Sequence, residues 1–271
     1  MNARDAASTY HATDGAAYEV FLGRWIRRLA QPLLDFAEFP EQGHLLDVGC
    51  GTGSLAHAMA VRWPARNVVG VAAAAPYVAF ARSKHKLGNL TFEEADAAKL
   101  PYTDASFAGV TAQLVLNFVP DVGAALNEMK RVTMRGGRLV AAVWDFRGGL
   151  VYQRMFWDTA AGIDVNAAAA RDKLFSGALA LPEGLMSLFT AVGLAQVERA
   201  SITIRMDYAN FADYWQPLCG GQGPVGTYLA ALAPDLRARI EQAVAVADRS
   251  GAPDGPRSLT TTAWAVRGQV R

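Results

Sequence analysis

Hydrophobic and polar positions along the chain follow two alternating periods. Short apolar runs, typical of buried strands, are separated by segments in which apolar residues recur at helical spacing. Parallel sheets that are covered by helices on both faces show this pattern. The sequence therefore predicts a doubly wound α/β fold with a seven-stranded, mostly parallel sheet. The predicted strands are His44–Val48, Asn67–Val71, Leu90–Glu94, Phe107–Leu114, Arg138–Trp144, Gln196–Met206 and Ser258–Val266.

Helical spacing also appears before the first strand, from Tyr18 to Phe36. Residues 1–15 are small and polar, which indicates a mobile leader. Within the sheet region we predict helices over Ser54–Trp63, Pro76–Lys86 and Val122–Met134, the last of them ended by two glycines. After the fifth strand the pattern is less regular, and it predicts helices over Leu150–Ala161, Pro182–Val192 and Ala233–Ala247.

A glycine-rich segment directly follows the first strand. Residues 45–56 read LLDVGCGTGSLA, with glycine at alternate positions 49, 51 and 53. Because glycine lacks a Cβ, this backbone can pass close to a ligand. The helix that begins at Ser54 directs its free N–H groups to the same place. Ligands of parallel sheets lie at the carboxyl ends of the strands, so we predict a ligand site here.

Composition narrows the functional classes. A net charge of +1 over 271 residues gives no electrostatic case for binding nucleic acid or an anionic membrane. The longest apolar run, 68–81, is too short to span a bilayer. Two cysteines favour a reducing cytoplasm without disulfides, and no signal-peptide pattern is present. We expect no metal site, because the histidines and cysteines lack ligand spacing. They are His11, His44, His57, His85, Cys50 and Cys219.

Four ordered segments together resemble the class I S-adenosylmethionine-dependent methyltransferases, in particular the small-molecule branch that includes ubiquinone-type C-methyltransferases. The resemblance covers roughly residues 18–145 and implies a Rossmann-like methyltransferase fold. One glycine turn would be a weak signal, whereas four landmarks in order are specific. The landmarks are Leu46–Gly53, Glu94–Ala97, Gln113–Asp121 and Arg131–Val140.

The resemblance implies a role for each residue of the glycine turn. The backbone at Gly49, Gly51 and Gly53, with Cys50 between them, would approach the methionine and ribose parts of S-adenosylmethionine. Asp47 would order the turn and help to hold the ammonium group of the cofactor, directly or through water.

Two further segments are implied to complete the cofactor site. The Asp96 carboxylate would accept a hydrogen bond from the adenine amine, and the Ala97 N–H would donate to a ring nitrogen. Gln113 and Leu114, at the end of the fourth strand, would lie beside the methionine moiety.

The second strand departs from the family pattern. Relatives carry an acid directly after this strand, where it binds both ribose hydroxyls. This chain has Ala72 there, followed by Ala73. Hydrogen bonds to charged groups contribute roughly 1.5–3 kcal/mol each. The loss of the acid is therefore expected to weaken cofactor binding about 10–150-fold or more.

By the same resemblance the chain is one methyltransferase domain with additions. The N-terminal helical segment would cover the cofactor and bring Tyr18 and Arg24 to it. The predicted parts are an N-terminal lid over 1–40, a cofactor-binding core over 41–145, and substrate-cap elements over 146–181 and 207–257.

We expect the methyl acceptor to be a small, apolar or aromatic molecule, with no catalytic residue assigned. Asn117 follows the fourth strand and either faces this acceptor or caps a loop. Aromatic residues after the fifth strand either line an apolar acceptor cavity or pack in the core. They are Trp144, Phe146, Tyr152, Phe156, Trp157, Phe211, Tyr214 and Trp215.

Two alternatives stay open at this point. A nicotinamide-dependent oxidoreductase would carry a third glycine where Ser54 stands and an acid where Ala72 stands. It would also leave Asp96 without a role. A non-catalytic protein with the same fold is favoured by Ala72 but opposed by the intact glycine turn.

Overall fold

The computed structural model describes residues 14–271, so the predicted leader lies mostly outside the described residues. A single seven-stranded sheet has the order β3-β2-β1-β4-β5-β7-β6. The strands are β1 Leu45–Val48, β2 Val68–Ala72, β3 Leu90–Glu94, β4 Phe107–Gln113, β5 Thr133–Trp144, β6 Ala195–Tyr208 and β7 Arg257–Gln269.

The direction of winding changes between β1 and β4. β1 pairs in parallel with β2 on one side and with β4 on the other, and β5 continues the parallel order beside β4. β7 is antiparallel to both β5 and β6. The doubly wound, mostly parallel sheet predicted from the sequence is confirmed. Such a change of direction opens a crevice at the carboxyl ends of the two strands, which is where ligands bind in this architecture.

Helices cover both faces of the sheet. Successive residues of β1 point to opposite faces, so that Leu45 packs in one core and Leu46 in the other. The first core joins α2, α3 and α4 with α6 and α9–α11, and the second joins α5 and α8. The helices are α1 Gly15–Tyr18, α2 Arg24–Ala37, α3 Ser54–Arg62, α4 Ala75–Lys84, α5 Val122–Val132, α6 Val151–Ala161, α7 Val165–Ser176, α8 Gly184–Ala191, α9 Phe211–Leu218, α10 Gly223–Ala230 and α11 Pro234–Arg249.

The junction between α5 and β5 differs from the sequence prediction. The helix ends at Val132, and β5 begins at Thr133 rather than at Arg138. The two glycines therefore lie inside the strand, where Gly136 adopts a φ of +80° and the pairing with β4 is interrupted. They form an irregularity of the strand instead of terminating the helix.

A π-helix over Glu19–Gly23 separates α1 from α2. Such wide turns are rare and are frequently found at functional sites. Within residues 14–271, no helix has both the length and the apolar character that a membrane crossing requires. Both cysteines, Cys50 and Cys219, have free thiols.

Candidate active site

The glycine turn is held against the end of β2. The N–H groups of Gly49 and Cys50 both donate to the Val71 carbonyl oxygen, at 2.7 and 2.9 Å. Gly51 has a φ of +55°, and a Cβ added there would meet no described protein atom closer than 3.9 Å. The turn therefore presents bare backbone to open space, which leaves room for a ligand.

Asp47 lies behind this turn and is 1% exposed. Its Oδ2 accepts a hydrogen bond from the Ala56 N–H at 3.1 Å, and the Thr111 hydroxyl donates to its Oδ1 at 3.1 Å. These contacts join β1, the start of α3 and β4. Burial raises the pKa of the Asp47 carboxyl to about 7, against the lowering effect of these two hydrogen bonds.

Asp47→Asn is expected to change how stability depends on pH. A carboxyl whose pKa is raised by folding stabilises the protein fully below its unfolded pKa of about 3.9, and loses this contribution as pH rises through the folded value. Because Asn cannot ionise, the variant should gain stability relative to the wild type between about pH 4 and 7, by up to about 1.4 kcal/mol per pH unit. Urea unfolding of the cofactor-free protein across this range measures it. Asp235→Asn, on an exposed helix end, is the control, and parallel pH curves for Asp47→Asn and the wild type would contradict the expectation.

A cavity opens at the carboxyl ends of β1, β2 and β4. The space within it is about 1000 Å³ when the open mouth is included. Eight of the residues predicted to bind the cofactor line it. They are Tyr18, Gly49, Gly51, Ala72, Ala73, Ala97, Gln113 and Leu114.

The wall formed by β4 carries two signs of a ligand site. Leu114 has a φ of +62°, a strained conformation for a non-glycine residue that clusters at ligand and active sites. Its N–H donates to the Ala142 carbonyl oxygen at 2.8 Å, which holds this conformation. The neighbouring Gln113 donates from Nε2 to the Ile26 carbonyl oxygen, while its buried Oε1 has no hydrogen-bond partner.

The other five predicted residues do not line the cavity. Asp47 lies behind the turn, Cys50 and Gly53 belong to it, and burial raises the pKa of the Cys50 thiol. Asp96 accepts a hydrogen bond from the Ala98 N–H at 2.9 Å within its own loop. Arg24 forms an ion pair with Asp213 at 2.8 Å and stacks over Trp25. Their contacts with a cofactor stay predictions.

Ala72 lies at the end of β2 and lines the cavity, at the position where the resemblance led us to expect an acid. Among the cavity-lining residues within 14–271, no side chain is an aspartate or a glutamate. The described wall therefore offers no carboxylate that takes over the role of the missing acid. Nearby, the rings of Tyr18 and Tyr77 lie 5.1 Å apart and close the cavity from the side of the lid.

A second cavity adjoins the first. Its volume is about 1690 Å³ with the mouth included, and apolar residues of α7, α10 and the segment after β4 form most of its wall. Asn117 lines it, and Lys173 is the one charged lining residue in the described part of the chain. Five residues belong to both cavities and form a shared wall. They are Phe118, Val119, Phe146, Gly223 and Pro224.

The aromatic residues predicted for an acceptor cavity divide into two groups. Trp144 and Phe146 line the first cavity, and Phe146 and Trp157 line the second. The remaining five are buried against one another in the core, as the alternative interpretation expected. These five are Tyr152, Phe156, Phe211, Tyr214 and Trp215.

Glu19, which the sequence analysis missed, connects the N-terminal helical segment to the glycine turn. Its Oε1 accepts from the Thr52 hydroxyl at 2.5 Å, and its Oε2 accepts from Arg27 at 2.7 Å and from Lys84 of α4. Burial opposes ionisation, but the hydrogen bonds from Lys84 and Thr52 outweigh it and lower the pKa of this carboxyl. Gly23 makes room for the contact, because a Cβ there would lie 2.5–2.7 Å from the carboxylate atoms. No sequence motif indicates these contacts, because Thr52 and Lys84 lie 33 and 65 residues after Glu19.

Glu19→Gln is expected to loosen the lid without unfolding the sheet. The variant keeps the length of the side chain but loses the charge that pairs with Arg27 and Lys84. Because the Glu19 side chain is only 13% exposed, we expect a cost of about 1–2 kcal/mol, above that of exposed ion pairs. Hydrogen exchange should become faster in residues 15–30 and stay unchanged in β1 and β4. Glu41→Gln, at an exposed position, is the control, and unchanged exchange in the lid would refute the connection.

The fold and the paired cavities at the carboxyl edge of the sheet define a class I methyltransferase architecture. Solved structures show the same fold. Phosphoethanolamine N-methyltransferase 2 of Haemonchus contortus, solved with S-adenosyl-L-methionine, superposes with a TM-score of 0.57 at 14% identity. The superposition covers 94% of this chain and 56% of that one. At this identity the likeness concerns the fold alone.

Sequence comparison finds similarity to methyltransferases over part of the chain. Residues 46–141 match the family model described as a methyltransferase domain. The chain is 40% identical over 141 residues to the demethylmenaquinone methyltransferase of Thermus thermophilus, covering 49% of this chain and 61% of that protein. It is also 40% identical over 108 residues to the O-methyltransferase cnsE of Penicillium expansum, covering 38% and 39%. The chain thus spans about three fifths or less of these relatives. Residues 46–141 are therefore similar to a methyltransferase domain, in agreement with the four landmarks.

Proposed function

We propose that the chain binds S-adenosylmethionine in the first cavity and transfers its methyl group to a small apolar or aromatic molecule in the second. The observation that carries this proposal is the shared wall of the two cavities, which brings two separate ligands into contact range. One cavity is bounded by the glycine turn, and the other by apolar side chains.

The residues of the first cavity fit this cofactor. Gly51 offers a turn whose added Cβ would enter open space. The unpartnered Oε1 of Gln113 can accept a hydrogen bond from the ammonium group of the methionine part. The bound cofactor supplies an electrophilic methyl group on a sulfonium. The chain supplies the position of that group, with Gln113 and Leu114 beside it.

The acceptor cavity promotes methyl transfer by positioning the acceptor next to the cofactor. No histidine, aspartate or glutamate side chain lines either cavity among residues 14–271, so the described walls provide no general base of these types. Correct placement of two reactants contributes up to roughly 7–11 kcal/mol to lowering a barrier. An acceptor that is already a good nucleophile, such as a phenolate or a stabilised carbanion, suits such a site.

The names of the relatives and the charge of the chain support a small-molecule acceptor. One relative is named for demethylmenaquinone and the other as an O-methyltransferase. A net charge of +1 favours no nucleic acid partner. We propose that the protein acts in the cytoplasm, in keeping with its free thiols. Nothing in the comparisons favours the non-catalytic alternative.

Thermal unfolding with three ligands tests the proposal. At a concentration 100 times the dissociation constant, S-adenosylmethionine or S-adenosylhomocysteine should stabilise the protein by about 2.7 kcal/mol. For a chain of this size the shift is roughly 5–10 °C. NAD should give no shift. Stabilisation by NAD alone would favour the oxidoreductase, and no shift with any ligand would favour a non-catalytic protein.

A further inference from the structure

Gln153 of α6 is a buried amide to which the proposed function gives no role. Its side chain lines the first cavity and the residue is 6% exposed. Nε2 donates to the Tyr152 hydroxyl at 2.9 Å, while Oε1 has no hydrogen-bond partner. Buried polar atoms in native proteins are almost always paired, so an unpaired one calls for an explanation. A bound ligand that supplies the missing partner is such an explanation.

The unpaired atom persists in either orientation of the amide. If the amide is turned over, Oε1 accepts from the Tyr152 hydroxyl and Nε2 becomes the atom without a partner. Burial raises the pKa of Tyr152, so its hydroxyl stays protonated and able to donate at neutral pH. In one orientation the amide needs a donor, and in the other it needs an acceptor. A ligand hydroxyl meets both requirements because it donates and accepts.

The surroundings favour an apolar body around the ligand hydroxyl. Trp144 and Phe146 line the same cavity and are 4% and 5% exposed. Phe146 lines both cavities, whereas Gln153 lines only the first, so an acceptor held in the second cavity reaches Gln153 past Phe146.

The two unpaired amides of the first cavity come from different elements. Gln113 is at the end of β4, where the methionine part of the cofactor is placed by the proposed function. Gln153 comes from α6, which follows β5.

We propose that Gln153 is a specificity-determining residue that binds a neutral hydroxyl group of the methyl acceptor. This inference rests on the proposed function. It narrows the acceptor class from apolar or aromatic molecules in general to those that carry an uncharged hydroxyl on an apolar or aromatic body. Pure hydrocarbons are disfavoured by the same contacts.

A matched pair of probes tests the proposal. 1-Naphthol and 1-methylnaphthalene differ in a hydroxyl against a methyl group on the same ring. Calorimetry should be performed on protein saturated with S-adenosylhomocysteine. We expect the wild type to prefer 1-naphthol by about tenfold or more, since a site that hydrogen-bonds a hydroxyl rejects the analogue that lacks it. Gln153→Leu, of similar shape, should bind the two probes equally and keep its affinity for 1-methylnaphthalene.

The control and the opposing outcomes are distinct. Gln242→Leu makes the same change on the exposed face of α11 and should keep the preference for 1-naphthol. The retained binding of 1-methylnaphthalene shows that Gln153→Leu is folded. The proposal is overturned if the wild type shows no preference, if Gln153→Leu keeps it, or if neither probe binds. Loss of S-adenosylhomocysteine binding by the wild type would instead overturn the proposed function itself.

Discussion

Gly51→Ala is expected to weaken the binding of S-adenosylhomocysteine roughly 5- to 150-fold. The added methyl group enters space that no described protein atom approaches within 3.9 Å, so the protein itself accommodates it. A ligand that lies against the bare turn occupies the same space and clashes with the added methyl group. Forcing an extra methyl group into a filled contact costs about 1–3 kcal/mol, which corresponds to this loss of affinity. Isothermal calorimetry measures it.

The positive φ of Gly51 adds a second effect that must be separated from the first. Alanine in the left-handed region costs about 1–2 kcal/mol wherever it stands. Gly251 has a φ of +83°, lies after α11 and has open space around it. Gly251→Ala therefore introduces similar backbone strain far from the cavity. We expect both variants to lose similar stability, but only Gly51→Ala to lose affinity. Equal affinity in both would contradict the placement of the cofactor against this turn.

Ala72→Asp is expected to tighten the binding of S-adenosylhomocysteine about 10–150-fold. The side chain at this position lines the cavity at the end of β2, and no aspartate or glutamate lines the described wall of the wild type. A restored acid can accept hydrogen bonds from the ribose hydroxyls, and hydrogen bonds to a charged group contribute roughly 1.5–3 kcal/mol. Without ligand the variant should be less stable than the wild type, because the new carboxylate is then partly buried and unpaired.

Ala73→Asp is the matched control for this gain. It adds the same charge one residue later, at an exposed position that also borders the cavity. Electrostatic attraction by itself would affect both variants, whereas a specific hydrogen bond requires the position of Ala72. No tightening in Ala72→Asp would contradict the expectation that an acid at this position binds the ribose of the cofactor.

The fold could be predicted from the local pattern of apolar residues and glycines. The strands and the glycine turn are encoded by residues adjacent in sequence, whose period and glycine spacing reflect backbone geometry. The junction at Gly136 was predicted wrongly, because two glycines end a helix as readily as they interrupt a strand. Only tertiary pairing with β4 and β7 distinguishes the two.

The part of the site that lies at the end of a strand could be predicted from the sequence. Gln113 is the last residue of β4 and Leu114 follows it directly, and position along a strand is visible in sequence. Glu19 and Gln153 were missed for the opposite reason. Each depends on elements brought together by folding, and neither stands in a recognisable motif. The contacts of Arg24 with Asp213, 189 residues away, likewise have no local signal.

The wall shared by the two cavities has a thermodynamic consequence. A ligand that displaces Phe146 or Pro224 from one side alters the space available on the other. The affinities for cofactor and acceptor are then coupled. Linkage requires that each ligand change the affinity of the other by the same factor. Titrating the acceptor at two different concentrations of S-adenosylhomocysteine would thus measure this cooperativity between the two cavities.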